Sequence, residues 1–197
     1  MRVTLAQTSP KLNRSNMDDI ILIIEKFKEE SDLIVFPELS LNGYILQDKL
    51  FEDAWNMDDF DELKDLSLHV DIVVGAAIRD NESFRNAALY FSNGKLLSTH
   101  NKVHLPNYGM FEEARYFKAG NIFESFISSY GKISMLVCED LWHDKVHVNL
   151  IKENPDYIIA LVASPARGFS NDGLEIEDKW LNIIKKVASE CTAKLIL

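Results

Sequence analysis

The chain has 197 residues, of which 47% are hydrophobic and 26% are charged, a size and composition that suit a single globular domain. Its formal net charge of −10 argues against a nucleic acid or an anionic membrane surface as the main partner. No apolar stretch approaches the length of a membrane span, and the first residues lack the apolar core of a signal peptide.

Strand and helix patterns alternate through the first half of the chain. Apolar residues at helical spacing predict a helix over residues 13–30, and a second helical pattern closes at residues 63–68. Short apolar or alternating runs predict strands at residues 2–7, 32–36 and 71–78. This alternation is typical of α/β proteins.

The second half adds a hairpin, a long loop and further strands. Asn93 and Gly94 predict the turn of a hairpin whose strands span residues 86–92 and 95–101. Residues 102–120 lack periodicity and are interpreted as a long loop with one helical turn, a kind of segment that is often functional. The remaining patterns predict a strand at 133–137, a helix to about residue 153, a strand at 157–162, a helix at 177–190 and a strand from 194. The predicted class is therefore α/β with a mixed sheet.

Cys138 directly follows the predicted buried strand at 133–137. Glu139 and Asp140 come next and suit the first turn of a helix, where free backbone N–H groups favour negative charge. A thiol at such a corner can be held as a thiolate and can attack a carbonyl, although a single cysteine after an apolar run is more often a small buried hydrophobe. Cys191 is the other cysteine, and the lack of a disulfide framework makes a cytoplasmic location the default expectation.

Three residues of complementary chemistry each follow a strand-like run. Glu38 is an acid, Lys102 a cation and Cys138 a thiol, which together can cleave an amide through an acyl-enzyme. Cys138 would attack the carbonyl while Glu38 moves the proton and later activates water. Lys102 and a backbone N–H beside Cys138 would stabilise the negative oxygen of the tetrahedral intermediate. The sequence alone does not show that the three side chains converge.

The segments FPELSLNGY, NKVHLPNYGMFEEARYF and CEDLWH resemble, in order, the three motifs of the nitrilase (carbon–nitrogen hydrolase) superfamily. This resemblance covers nearly the whole chain and implies an α-β-β-α sandwich with a Glu–Lys–Cys triad at Glu38, Lys102 and Cys138. It also implies a second glutamate that orients the lysine, for which Glu113 is the best match and Glu112 the neighbouring alternative. A homodimer or larger assembly is a further implication, and no cofactor is expected.

Within that superfamily, LPNYGMFEEARYF and CEDLW are most similar to the glutaminase domains of glutamine-dependent NAD synthetases. The similarity implies a glutamine pocket lined by Tyr44, Tyr108, Phe111 and Glu139. Aromatic walls can hold a short aliphatic stem, and a carboxylate can pair with an α-ammonium group. The segment VASPARGF follows the strand at 157–162, where the family places a pocket loop, so Ser164 and Arg167 are further candidates for substrate contact.

The sequence departs from that family in two respects. It contains no glycine-rich pyrophosphate loop of the SGG type, so the chain is expected to be a free-standing amidase or to supply ammonia to a separate protein. Family members also usually continue past the point where this sequence stops. We therefore expect residues 1–197 to form one carbon–nitrogen hydrolase domain that lacks its C-terminal portion.

Other functions remain open at this stage. Nitrile, N-carbamoyl and other amidase activities of the superfamily share the same triad, and a catalytically silent relative could serve as a binding subunit. A metal hydrolase is a further alternative, because Glu139, His143 and His147 fall four residues apart and would share one helical face. The HExxH pattern is missing, however, so these histidines are better explained as ordinary residues and no metal is expected.

Overall fold

Two β-sheets form the centre of the structure, a computed structural model that describes residues 1–166, 168–170 and 173–197. The first sheet has five strands in the order β1-β2-β3-β4-β5. Strands β1, β2 and β3 are parallel, whereas β3, β4 and β5 are antiparallel. Their bounds are Val3–Leu5 for β1, Leu33–Val35 for β2, Asp71–Asp80 for β3, Ser83–Ser92 for β4 and Lys95–Asn101 for β5.

The second sheet has four strands in the order β11-β8-β7-β6. Strand β7 runs parallel to β8 and antiparallel to β6, and β11 runs parallel to β8. A short antiparallel pair, β9 with β10, lies outside both sheets. The bounds are Ser125–Ser128 for β6, Gly131–Val137 for β7, Tyr157–Leu161 for β8, Phe169–Ser170 for β9, Gly173–Leu174 for β10 and Lys194–Ile196 for β11.

Six α-helices are found in the described part of the chain, and the longer ones cover the outer faces of the sheets. Among the described residues, none of the helices combines the length and apolar composition that a membrane crossing requires. The bounds are Asn16–Phe27 for α1, Leu50–Asp53 for α2, Asp61–Leu66 for α3, Glu113–Tyr116 for α4, Asp144–Glu153 for α5 and Glu175–Cys191 for α6.

The period-two alternation of strand side chains separates two hydrophobic cores. Ile34 and Ile72 of the first sheet pack with α1 and α3, whereas Leu33 and Val73 face the second sheet. The second sheet packs in turn against α5 and α6. The layers therefore run helix, sheet, sheet, helix, and the expected α-β-β-α sandwich is confirmed.

Most predicted elements are present, with differences at their ends. The hairpin around Asn93 and Gly94 is confirmed, but β4 begins at Ser83 and forms a second hairpin with β3 that the pattern did not predict. Strand β6 was also not predicted. The segment after β7 is a short 3-10 helix, Cys138–Trp142, and α5 begins only after an extended residue at His143. The prediction of one continuous helix from Cys138 is therefore wrong.

Candidate active site

Glu38 lies just beyond β2, on a segment that packs directly against β3. The adjacent Leu39 has a left-handed backbone conformation with φ 50°. Gly75 makes the close approach possible, because a Cβ atom there would lie 2.4 Å from the Leu39 nitrogen and 2.5 Å from the Pro37 oxygen. Glu38 is consequently fixed in the interior, with 2% of its surface exposed.

Both carboxylate oxygens of Glu38 accept hydrogen bonds. Oε1 lies 2.7 Å from Lys102 Nζ and 2.8 Å from the Asn86 side-chain amide. Oε2 accepts from the Ala163 N–H at 3.2 Å. The backbone carbonyl oxygen of Asn86 also accepts a hydrogen bond from the Lys102 backbone N–H at 2.8 Å. Strand β4 therefore positions the acid and the cation together.

Lys102 lies between two buried carboxylates. Its ammonium group contacts Glu113 Oε1 at 2.8 Å as well as Glu38, and its side chain is fully buried. Burial alone would lower the pKa of Lys102, but the negative charges of Glu38 and Glu113 outweigh burial and raise the pKa above its ordinary value. Glu112 instead lies on the surface beside Arg115, so Glu113 is the glutamate that contacts the lysine.

Glu113 is held from its other side by Tyr44, whose hydroxyl donates to Glu113 Oε1. Burial raises the pKa of the Glu113 carboxyl above its ordinary value, and Glu38 adds to this effect while Lys102 opposes it. Burial, followed by the two carboxylates, likewise raises the pKa of Tyr44. Tyr44 therefore remains a neutral hydrogen-bond donor at any physiological pH.

Cys138 lies at the junction of β7 and the 3-10 helix, in a left-handed backbone conformation with φ 44°. Its thiol lies close enough to Glu38, Lys102 and the Ala163 N–H for each of them to influence its pKa. Burial, reinforced by the negative charge of Glu38, raises the pKa of the Cys138 thiol well above its ordinary value, and Lys102 only partly offsets this. A neutral thiol is therefore favoured over the stored thiolate that the sequence suggested, because the sulfur is buried and Glu38 affects its pKa more strongly than Lys102 does.

Asp140 joins the loop after Lys102 to the turn that carries Cys138. Its buried carboxylate accepts backbone N–H bonds from Val103 at 3.0 Å and His104 at 2.8 Å, and ring N–H bonds from His100 at 2.9 Å and His104 at 3.2 Å. Burial would raise the pKa of Asp140, but these hydrogen bonds hold it well below its ordinary value. Sequence reasoning assigned Asp140 only to a helical first turn and missed this role.

A cavity of about 300 Å³ opens beside Cys138. The substrate residues predicted from the sequence line it together with Cys138, namely Tyr44, Tyr108, Phe111, Glu139 and Ser164. Tyr108 donates its hydroxyl to Glu139 Oε2 at 3.0 Å, and the rings of Tyr44 and Phe111 meet edge to face. Arg167, the other predicted contact, lies outside the described residues.

The residues of the alternative metal site do not converge. His143 stacks its ring on His104 at 3.6 Å between centroids, and His143 Nε2 lies 3.8 Å from Glu139. His147 lies on α5, beyond the extended residue that ends the 3-10 helix, and bonds the Leu141 carbonyl at 2.8 Å. The part of the chain that the structure describes contains no group of three side chains able to hold a metal ion. Glu139, His143 and His147 therefore do not form a three-residue metal-binding group in the described part of the chain.

Comparison with known proteins identifies relatives for nearly the whole chain. The glutamine-dependent NAD(+) synthetase of Acinetobacter baylyi is 34% identical over 171 residues, covering 83% of this chain and 31% of that protein. A solved glutamine-dependent NAD+ synthetase from Acinetobacter baumannii, in complex with ADP, superposes with a TM-score of 0.79 at 29% identity, over 94% of this chain and 36% of that one. A CN-hydrolase superfamily protein from Xanthomonas campestris shares the fold, with a TM-score of 0.84 at 19% identity over 98% of this chain and 73% of that one.

The chain thus spans about a third of the length of the first of these curated relatives. The carbon–nitrogen hydrolase family matches residues 2–195. The resemblance inferred from the three sequence motifs is confirmed by this match and by the NAD synthetase relatives. On this evidence, the chain belongs to the carbon–nitrogen hydrolase family.

Proposed function

We propose that the chain hydrolyses the side-chain amide of glutamine, or of a similar small carboxylate-bearing amide, and releases ammonia. One observation carries the proposal: a cysteine whose thiol is influenced by a buried glutamate, itself paired with a buried lysine, at the wall of a cavity. Acid, cation and thiol are the groups that acyl transfer from an amide requires.

The reaction proceeds through a thioester. Cys138 adds to the amide carbon while Glu38 accepts the thiol proton, and Glu38 then returns that proton to the departing nitrogen as ammonia leaves. Water, deprotonated by Glu38, next adds to the thioester, and the thiol is regenerated with the carboxylic acid product. In both steps Lys102 and the backbone N–H that follows Cys138 stabilise the oxyanion.

The raised pKa of Cys138 supports a base-assisted attack in place of a stored thiolate. A neutral thiol must lose its proton as the carbon–sulfur bond forms, and the Glu38 carboxylate is the anion that acts on that thiol. The same negative charge that disfavours the thiolate therefore makes Glu38 suitable as the general base.

The cavity walls suit a short amino-acid stem. Tyr44, Tyr108 and Phe111 provide aromatic surface, and Glu139 provides a carboxylate for the α-ammonium group. Ser164 lines the same cavity, and we retain Arg167 as a candidate contact. We further propose a cytoplasmic homodimer or larger homo-oligomer whose ammonia passes to a separate protein, because the curated relatives are NAD synthetases that depend on glutamine.

Ammonia release from glutamine tests the proposal, with the two cysteines providing a matched pair of variants. Cys138→Ala should abolish release, whereas Cys191→Ala should retain it, because Cys191 lies at the end of α6 outside the cavity. A chelator should leave the activity intact, since thiol chemistry needs no metal. Activity that survives in Cys138→Ala, or that a chelator removes and zinc restores, would contradict the proposed function.

A further inference from the structure

The cavity beside Cys138 carries charges of both signs. Its described lining residues include two acids, Glu139 and Glu175, and a single cation, Lys179. The charge of Lys102 is already paired, because its side chain is fully buried between its two carboxylate partners. Lys179 is exposed and takes part in no ion pair within the described part of the chain.

Lys179 and Glu139 line the same cavity. Lys179 lies in the second turn of α6, directly before Trp180, whose ring meets that of Trp142 with 4.7 Å between centroids. Trp142 ends the 3-10 helix that begins with Cys138 and Glu139. The tryptophan contact therefore joins the start of α6 to the turn that carries the thiol, and both elements contribute side chains to the cavity.

We propose that Lys179 binds the α-carboxylate of the substrate while Glu139 binds its α-ammonium group. The pair makes the site specific for a free amino acid that carries a side-chain amide, and this inference rests on the proposed amidase function. Opposite charges in one cavity match a zwitterion, and each charged hydrogen bond fixes the stem so that the amide reaches Cys138. An amide without an α-carboxylate lacks one of the two contacts.

The test compares glutamine with 4-aminobutanamide, which keeps the amide and the ammonium group but has no carboxylate. Lys179→Met should raise KM for glutamine about three- to tenfold, the strength of a partly screened ion pair, with kcat little changed. The same variant should leave kcat/KM for 4-aminobutanamide unchanged. Lys185→Met is the matched control, because Lys185 is exposed on the same helix and does not line the cavity.

Protection of Cys138 from iodoacetamide provides a second readout that needs no turnover. Lys179→Met should raise the glutamine concentration for half-protection by the same factor, whereas Lys185→Met should not. The assignment to Lys179 would be overturned if Lys179→Met weakened catalysis equally on both amides or on neither of them. It would also be overturned if only Arg167→Met lost activity selectively on glutamine. Each of these results would leave the amidase function intact. Failure of the unaltered chain to hydrolyse either amide would contradict the proposed function and this inference with it.

Discussion

At the scale of single residues, Asp140 is the side chain on which the alignment of the site most depends. Its carboxylate holds the backbone after Lys102 and, through the Val137 N–H at 3.2 Å, the end of the strand that precedes Cys138. Every partner donates to it, so the site requires an ionised oxygen pair at this position.

Asp140→Asn should therefore destabilise the protein by about 3 kcal/mol, because an amide offers one acceptor oxygen and leaves buried donors unpaired. The pKa of Asp140 is lowered from 3.8 in the folded chain, so its stabilisation is present above about pH 3.8 and is lost as the pH falls through the lower folded value. Urea unfolding at several pH values measures both effects.

Asp144→Asn is the control for that experiment, because Asp144 is an exposed acid on the following helix, paired with Lys186. It should change the free energy of unfolding little at any pH. An Asp140→Asn variant with the stability and pH profile of the unaltered chain would show that the hydrogen-bond network does not hold the site together.

The sequence predicted the site residues that follow strands better than the residues that hold them in place by hydrogen bonds. Glu38, Lys102 and Cys138 follow strand-like runs, so their shared position at strand ends was visible in the pattern. Asn86 lies within a predicted strand and Asp140 within a predicted helical turn, where a polar residue is unremarkable. Their role depends on partners distant in the sequence, which no local pattern contains.

At the scale of elements, the close contact between the Glu38 segment and β3 determines where the acid lies. Gly75→Ala should push that segment outward and destabilise the chain by about 2–3 kcal/mol, because the new methyl group would overlap backbone atoms. A displaced Glu38 should also reduce ammonia release by on the order of a hundredfold.

Gly109→Ala is the control for this contact. It adds the same methyl group at a position where no other atom lies within 4 Å. The free energy of unfolding should fall by about 1 kcal/mol, because Gly109 has a left-handed backbone conformation with φ 60° that alanine adopts less readily. Equal losses of activity in the two variants would contradict the importance of the contact at Gly75.

Element boundaries were predicted less well than elements. The outer ends of β3 and β4 carry Arg79, Asp80 and Arg85, whose polarity hides the strand pattern, and mutual pairing extends both strands to a turn at Asn81. The segment after Cys138 has acids typical of a helix start. The Asp140 side chain instead accepts backbone and ring N–H groups from the Lys102 loop, and the chain forms a short 3-10 turn.

At the scale of the whole molecule, the two sheets share one core, and the pattern alone could not assign strands to sheets. Leu136 is fully buried in that core on β7.

Leu136→Ala should lower the free energy of unfolding by about 3 kcal/mol, measured by denaturant titration, because it removes buried methyl groups and leaves a cavity. Leu22→Ala, at a position 68% exposed on α1, should change stability little, and similar losses in both would contradict the packing described.

The most direct test of the account concerns Glu38 as the base that acts on a neutral Cys138 thiol. Glu38→Gln removes the anion that raises the pKa of the thiol and leaves Lys102 beside it, so iodoacetamide should alkylate Cys138 about tenfold faster at pH 8. Ammonia release should nevertheless fall by about a hundredfold or more, because the proton acceptor is lost.

Both rates can be measured on one preparation, with mass spectrometry to assign alkylation to Cys138 and not to Cys191. Glu112→Gln, an exposed neighbour of the lysine-binding glutamate, is the control and should alter neither rate. The account predicts opposite changes in Glu38→Gln, with faster alkylation and slower hydrolysis. Hydrolysis that persists in Glu38→Gln, or alkylation that slows together with it, would contradict the central claim.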